Sequence, residues 1–365
     1  MKVIAQTQAL QDALNVLGSI VSTRTPKPVL ECIKLVATAN GLELMGTDLE
    51  VGCRYLVTAV QVEQAGEALV PATRFSGIVR EATGDDSLTI ESDKEATIVK
   101  GTGSRFKIFG FDPAEYPAID QFPAAGDFKV PAAVLKDMIT KTLFATAKAH
   151  SHYAISGVLW EATGKNLKLV ATDGHRLAQA MGMLESASSS SATAIVPAKF
   201  MGLILRVCNP EDMLDVKIED NQILVKSSNA TLMSTLVQGN FPKYSDVIPQ
   251  NCDRHADINT GEFQHRVRQA ALLTNDESRG VKLSFQADSL IMSSRAPEAG
   301  EAEVQCPIVL NGNPMDIGFN PQFLLDALKV IDTDMLRFEM SAPNKPAMIK
   351  AGPDFLYVLM PVDLG

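Results

Sequence analysis

The 365-residue sequence predicts an α+β protein made of three similar domains in tandem, and three observations carry that prediction. First, phrases recur at a constant offset of 125 residues. Leu42-Glu-Leu-Met-Gly-Thr-Asp48 returns as Leu167-Lys-Leu-Val-Ala-Thr-Asp173, and Glu115-Tyr116-Pro117 is echoed by Asn240-Phe241-Pro242. Val70-Pro-Ala-Thr-Arg-Phe75 reappears one residue shorter as Val196-Pro-Ala-Lys-Phe200, with the phenylalanines again 125 apart. Second, segments with apolar residues three and four apart occur twice in each repeat, the signature of a helix with one buried face. Third, each second helix runs into an acidic turn and then a segment of alternating apolar and polar residues, as a half-buried strand requires.

Taken in chain order, each repeat opens with a helix: Leu10/Leu14/Leu17, then Leu135/Met138/Ile139/Thr142, then Phe263/Val267/Ala270/Thr274. The second helix follows after several strands, with Phe200, Leu203, Ile204 and Val207 on one face in the middle repeat and Leu324, Ala327, Leu328 and Ile331 in the last. The closing strands begin at Gly84–Glu91, Pro210–Glu219 and Asp332–Glu339, where Val216 and Ile218, or Leu336, Phe338 and Met340, alternate with polar neighbours. A unit of about 122 residues is a whole domain, not a solenoid repeat. Junctions are expected at Ala118–Gly126 and Pro249–His255, dividing the chain into domains 1–124, 125–251 and 252–365. The serine-rich run 186–193 reads as a solvated hairpin loop.

Composition excludes several classes. Apolar residues make up 46% and charged residues 21%, which is ordinary for a folded globular protein and excludes a disordered or fibrous chain. No run approaches the roughly 18 continuous apolar residues of a membrane helix, and the first ten residues lack the apolar core of a secretory signal. A cytoplasmic protein is the expectation. Five scattered cysteines without a Cys-x-x-Cys pair support neither a disulfide framework nor a zinc site. The net charge of −10 argues against binding DNA by covering phosphates with Lys and Arg.

Few motifs carry chemistry. Asp173-Gly174-His175-Arg176 admits an acid–base pair, since imidazole titrates near neutrality. The equivalent stretch of the first repeat keeps Asp48 and lacks the histidine, so the alternative is a turn whose Asp side chains accept from local backbone N–H groups. His150 and His152 have no third ligand nearby in sequence. There is no phosphate-binding loop, no dinucleotide-binding glycine pattern and no nucleophile elbow, and no cofactor is implied. The charge is unevenly spread. The helix segments 6–21, 71–84, 131–149, 197–208, 260–274 and 321–331 hold ten basic side chains against five acidic ones, leaving the rest of the chain at −15. Those segments form either ordinary solvated helix faces or a surface mildly attractive to a polyanion.

The ordered set Ala171-Thr-Asp-Gly-His-Arg-Leu-Ala178, Val196-Pro-Ala-Lys-Phe200, Asn240-Phe-Pro-Lys-Tyr244, Arg279-Gly-Val281, Gly318-Phe-Asn320 and Met360-Pro-Val362 resembles the bacterial DNA polymerase III beta subunit family, the replicative sliding clamps. The resemblance covers essentially the entire chain. It implies three clamp domains per chain and a head-to-tail homodimer closing into a ring, with twelve helices lining the hole and antiparallel sheets outside. It implies a non-catalytic processivity factor that encircles double-stranded DNA without sequence preference and tethers the polymerase III catalytic subunit. It also implies that the clamp loader, other polymerases and repair proteins bind through short hydrophobic motifs of the Gln-Leu-x-Leu-Phe type. Such a ring retains DNA by topology, which reconciles it with the negative charge.

On this resemblance Arg24, Arg74, Arg80, His150, Lys199 and Arg206 are expected to face DNA. The partner-peptide cleft would comprise Ile155, Thr172, Gly174, His175, Arg176, Leu177, Pro242, Val247, Asn320, Phe323, Val358, Leu359, Met360, Pro361 and Val362, with His175 and Arg176 as its polar rim. The protomer interface would set Arg105, Phe106, Lys107 and Ile108 on one edge against Leu272, Leu273, Glu298, Glu301 and Glu303 on the other. Asp246, Ser278, Asn344 and Pro346 depart from the pattern of familiar members around the cleft. Two other readings stand beside the clamp: a hydrolase centred on Asp173 and His175, and a clamp-like scaffold that no longer loads on DNA.

Overall fold

Among the described residues, every α-helix starts where a short strand stops. A computed structural model describes residues 1–93, 96–147, 153–188, 191–274, 280–296 and 300–363. The α-helices among them are α1 (Thr7–Leu17), α2 (Ala72–Glu81), α3 (Ala132–Leu143), α4 (Ala198–Val207), α5 (Thr260–Ala271) and α6 (Pro321–Leu328). They lie within the six predicted segments, each a few residues shorter. Pro71, Pro131 and Pro197 end the strands before α2, α3 and α4, because proline gives no N–H to a strand ladder yet its fixed φ suits the entry to a helix. In the last repeat asparagine does this work: Asn259 accepts from the Glu262 N–H at 3.0 Å and Asn320 from the Gln322 N–H at 2.9 Å, satisfying donors that a helix start leaves open. The predicted apolar faces are buried, with Phe200, Leu203, Ile204 and Val207 inside α4, and Leu324, Ala327 and Leu328 inside α6.

The chain forms two compact units. The first comprises Met1–Ala133, Leu184–Ser189 and Lys199–Leu236. Its five-stranded sheet runs in the order Val60–Gln64, Lys2–Gln6, Ser87–Ser92, Ala96–Gly101, Ser104–Phe109, so the last of these is an edge. Its eight-stranded sheet is joined at the antiparallel pair Ala230–Thr235 and Val51–Val57, with Leu232 opposite Cys53. The second unit comprises Val134–Met183, Ser190–Ala198 and Val237–Gly365 and holds one twelve-stranded sheet. There the equivalent junction is Arg176–Met183 against Phe355–Leu359, with Leu177 opposite Val358. The middle repeat thus gives four strands to each unit. The strand Ala192–Pro197 pairs with Gly157–Thr163 rather than with Arg176–Met183. The serine-rich segment therefore joins strands that are not neighbours, which corrects the hairpin expected there.

The repeated Thr-Asp phrase builds the same turn twice. Asp48 Oδ1 accepts from the N–H groups of Glu50 and Val51, and Thr47 Oγ1 accepts from Leu49 and donates to the Val51 carbonyl. Asp173 Oδ1 accepts from His175 and Arg176, and Thr172 Oγ1 accepts from Gly174 and donates to the Arg176 carbonyl. Both turns need a left-handed residue after the aspartate, Leu49 at φ 80° and Gly174 at φ 89°.

Candidate functional site

The turn at Asp173 sits beside a second group of residues that sequence spacing alone does not connect. A cluster of Leu159, Val170, Leu177, Ile195 and Val358 is buried in the sheet, and Phe241, Tyr244 and Ile248 pack on it from the segment after the strands of the middle repeat. The chain leaves the sheet at Met360, whose N–H donates to the His175 carbonyl at 2.9 Å, and the Val362 N–H donates to the Gly318 carbonyl at 2.9 Å. The His175 ring stacks on Phe323 of α6, with ring centroids 6.4 Å apart and 26° between planes. The structure therefore brings His175, Arg176, Leu177, Phe323, Val358, Met360 and Val362 of the expected cleft together. Met360 and Val247 stay exposed, as do Gly174 and Pro242, whereas Thr172 and Leu359 are buried in the sheet. Ile155 and Pro361 are half-buried, and Asn320 is occupied in capping α6. Asp246 is exposed on the short turn Tyr244–Val247, and Asn344 and Pro346 flank the strand Ala347–Ala351. Ser278 lies outside the described residues.

Arg176 is not the rim residue the sequence suggested. It is only 9% exposed. Its Nε donates to Asp173 at 2.9 Å, Nη1 to Asp326 at 2.8 Å and Nη2 to the Phe144 carbonyl at 2.9 Å. Its planar guanidinium lies 4.4 Å from the centre of the Phe323 ring. Burial opposes its charge, but two carboxylates and the Tyr357 hydroxyl more than offset this, so its affinity for its proton is raised. Tyr357, Phe144 and Asp326 belong to this arrangement and were missed by sequence reasoning. Only Asp326, one turn from Phe323 on α6, carried a hint, through its i,i+3 spacing.

Of the residues expected to face DNA, Arg24, Arg74, Arg80 and Arg206 are exposed, and among the described residues none of them has an ion-pair partner. Arg80 and Arg206 border a groove of about 610 Å³ between α1 and α2, lined by Asn15, Ser22, Thr73 and Ser76 and free of carboxylates. Lys199 is different: its ammonium is ion-paired to Asp48 Oδ2, on the turn whose other oxygen holds the backbone. His150 lies outside the described residues.

The strand Ser104–Phe109 forms the edge of its sheet, and from Arg105 to Phe109 every residue but Ile108 is exposed. Phe106 is 42% exposed, while Ile108 is 3% exposed and points into its own unit, so its side chain does not belong with the interface group expected from sequence. Arg105 and Lys107 are exposed, and Phe109 joins them at 65%, its ring 5.3 Å below the Lys107 ammonium. In the second unit, among the described residues, 300–307 of the strand Gly300–Asn311 pair on one side only, with Ser289–Ala296; Arg254–Asn259 takes the other side from Ile308 onward. Glu301 and Glu303 are exposed on that strand, and Leu272, just past α5, is 79% exposed with Leu273 half-buried beside it. Glu298 lies outside the described residues.

Models of the DNA polymerase III beta subunit match the chain in three consecutive parts: the N-terminal domain over residues 1–120, the central domain over 129–243 and the C-terminal domain over 245–363. The beta sliding clamp of Pseudomonas aeruginosa is 31% identical over 362 residues, covering 98% of this chain and 99% of that one. That of Escherichia coli is 31% identical over 367 residues, covering 100% of both. The chain belongs to the DNA polymerase III beta subunit family. The crystal structure of the sliding clamp from Bacillus subtilis superposes with a TM-score of 0.95 at 28% identity, covering 100% of this chain and 99% of that one. The Pseudomonas aeruginosa clamp bound to griselimycin gives 0.95 at 30% identity, covering 100% of both.

As a DNA polymerase III beta subunit the chain is a DNA-encircling processivity factor and not an enzyme. The hydrolase reading falls with this. Asp173 spends one oxygen on two backbone N–H groups and the other on Arg176, and among the described residues no hydrogen bond joins it to the His175 ring as a catalytic dyad requires. Among the described residues no helix is long and apolar enough to cross a membrane.

Proposed function

We propose that this beta subunit works as a head-to-tail homodimer, with domains 1–124, 125–251 and 252–365, whose two bare sheet edges join across protomers to close the ring. The observation that carries this is the pairing of opposites on the edges. Arg105, Lys107 and the exposed ring of Phe106 stand on one, and Glu301, Glu303 and Leu272 stand at the other. Unlike patches of this kind make a heterologous contact, which closes when the rotation between protomers allows it. Opposite charge sets the register, and the apolar centre provides the desolvated contact.

Inside the ring, Arg24, Arg74, Arg80 and Arg206 would hold DNA weakly through its phosphates, with Lys199 and His150 as the remaining members of the set. The cleft beside His175 would take short hydrophobic motifs of the loader, polymerases and repair proteins, with Leu177 and Val358 as floor and Met360 as an adaptable wall. The remaining residues of the expected cleft, Ile155, Thr172, Gly174, Pro242, Val247, Asn320, Phe323, Leu359, Pro361 and Val362, would frame it, with buried Arg176 behind them. A cytoplasmic, nucleoid-associated location follows from this role.

The test is topological. A loaded clamp should stay on nicked circular DNA and be lost on linearisation, and Glu301→Lys with Glu303→Lys should give monomers by light scattering. Equal loss from circular and linear DNA would refute encirclement, and an intact dimer in the charge-reversed variant would refute the edge pairing. For the cleft, a labelled Gln-Leu-Ser-Leu-Phe peptide should bind saturably and more weakly to Met360→Ala; equal binding to both would refute the assignment.

A further inference from the structure

We infer that Arg176 is the positioning residue of the cleft: it sets the ring of Phe323 as one wall and does not itself touch an occupant. The inference rests on reading this face as a peptide-binding cleft. Three donor groups of the guanidinium are spent inside the protein, on Asp173, Asp326 and the Phe144 carbonyl, each at 2.8–2.9 Å. Each of its three nitrogens is engaged, and at 9% exposure the two N–H groups left over are not presented to a ligand carboxylate.

What the guanidinium leaves open is its flat face, and Phe323 occupies it at 4.4 Å. The Phe144 ring, 5.5 Å away, is its second aromatic neighbour. Phe323 and Asp326 stand three residues apart on α6 and so share one side of that helix. A single planar cation thus holds the carboxylate by hydrogen bonds and the ring by stacking. The backbone at Phe323 is held as well, since its carbonyl accepts from the Tyr357 hydroxyl at 2.9 Å. His175, the neighbour of Arg176 on the turn, stacks on the same Phe323 ring at 26° between planes. The turn at Asp173, the end of α3 and the first turns of α6 are therefore tied at one atom group. Lysine is no substitute, because a point charge cannot fork to two carboxylates and present a flat face together.

The test places 4-fluorophenylalanine at position 323 of the full-length chain and follows its fluorine resonance with the variants Arg176→Gln and Asp326→Asn. Both should shift or broaden the resonance, and Asp326→Asn reads the same position should Arg176→Gln fail to fold. An unmoved resonance in the folded variants overturns the inference.

In parallel, the affinity of a fluorescein-labelled Gln-Leu-Ser-Leu-Phe peptide should fall at least tenfold in Arg176→Gln and in Phe323→Ala. When the two are combined, the further loss should be no more than twofold, because one change acts through the other. Losses that multiply show Arg176 touching the peptide directly and overturn the inference. A wild-type chain that ignores the peptide, while the resonance still moves in Arg176→Gln, upholds the positioning and refutes the peptide as occupant.

Discussion

Phe106 and Ile108 stand two residues apart on the same edge strand, and replacing each by alanine should break different things. A phenylalanine presents on the order of 200 Å² in an extended chain, so the 42% left exposed on Phe106 is about 80 Å². Covering that area at roughly 25 cal/mol per Å² is worth about 2 kcal/mol at each protomer contact. Phe106→Ala, which truncates both contacts of the closed two-protomer ring, should then weaken dimerisation by about 4 kcal/mol, approaching a thousandfold at 1.4 kcal/mol per tenfold, with little change in the stability of the protomer. Ile108 is already 3% exposed within its own sheet. Its truncation should cost about 2–5 kcal/mol of folding stability and leave association of the folded protomers nearly unchanged. Sedimentation equilibrium reads the first quantity and urea unfolding of dilute protein reads the second. If Phe106→Ala unfolds as readily as Ile108→Ala while its dimer constant stays at the wild-type value, the edge is not an interface and the reasoning fails.

Charge on the side proposed to face DNA should divide in the same way. Arg80→Ala and Arg206→Ala should each lower the salt dependence of DNA binding by about one unit of log–log slope, whereas Lys199→Ala should change it less, because Asp48 already holds that ammonium. Equal slopes for all three variants would show the Asp48 pair to be irrelevant. Gly174→Ala forces a Cβ into a left-handed backbone with open space around it, so urea denaturation should show a loss of about 1–2 kcal/mol from backbone strain alone. A neutral result would mean that the turn relaxes. Burial pushes the thiols of Cys32 and Cys306 up to about 11. At pH 8 iodoacetamide should therefore modify half-buried Cys252 well before them, as mass spectrometry of the folded protein can establish. Because the unfolded chain loses these protons first, stability should fall as pH rises from the ordinary thiol range toward 11.

The periodic and repeated features of this protein were legible in the sequence for a physical reason. An amphipathic face or a Thr-Asp turn depends on neighbours within a few residues, so the faces of α4 and α6 and the paired turns at Asp48 and Asp173 are written locally. The order of motifs from Ala171 to Val362 likewise identified the family without coordinates. Tertiary structure decided whatever depends on contacts across long stretches of chain. Arg176 looked like an exposed polar residue until Asp326, 150 positions away, and Phe144 closed around it. Lys199 looked available to phosphate until Asp48, 151 positions away, was found beside it. Arg105 to Ile108 were expected together on one edge, but only the sheet showed that Ile108 is buried within its own unit while Phe106 stays exposed. A charge is free or spent according to what the fold sets against it, and no local reading of a sequence supplies that partner.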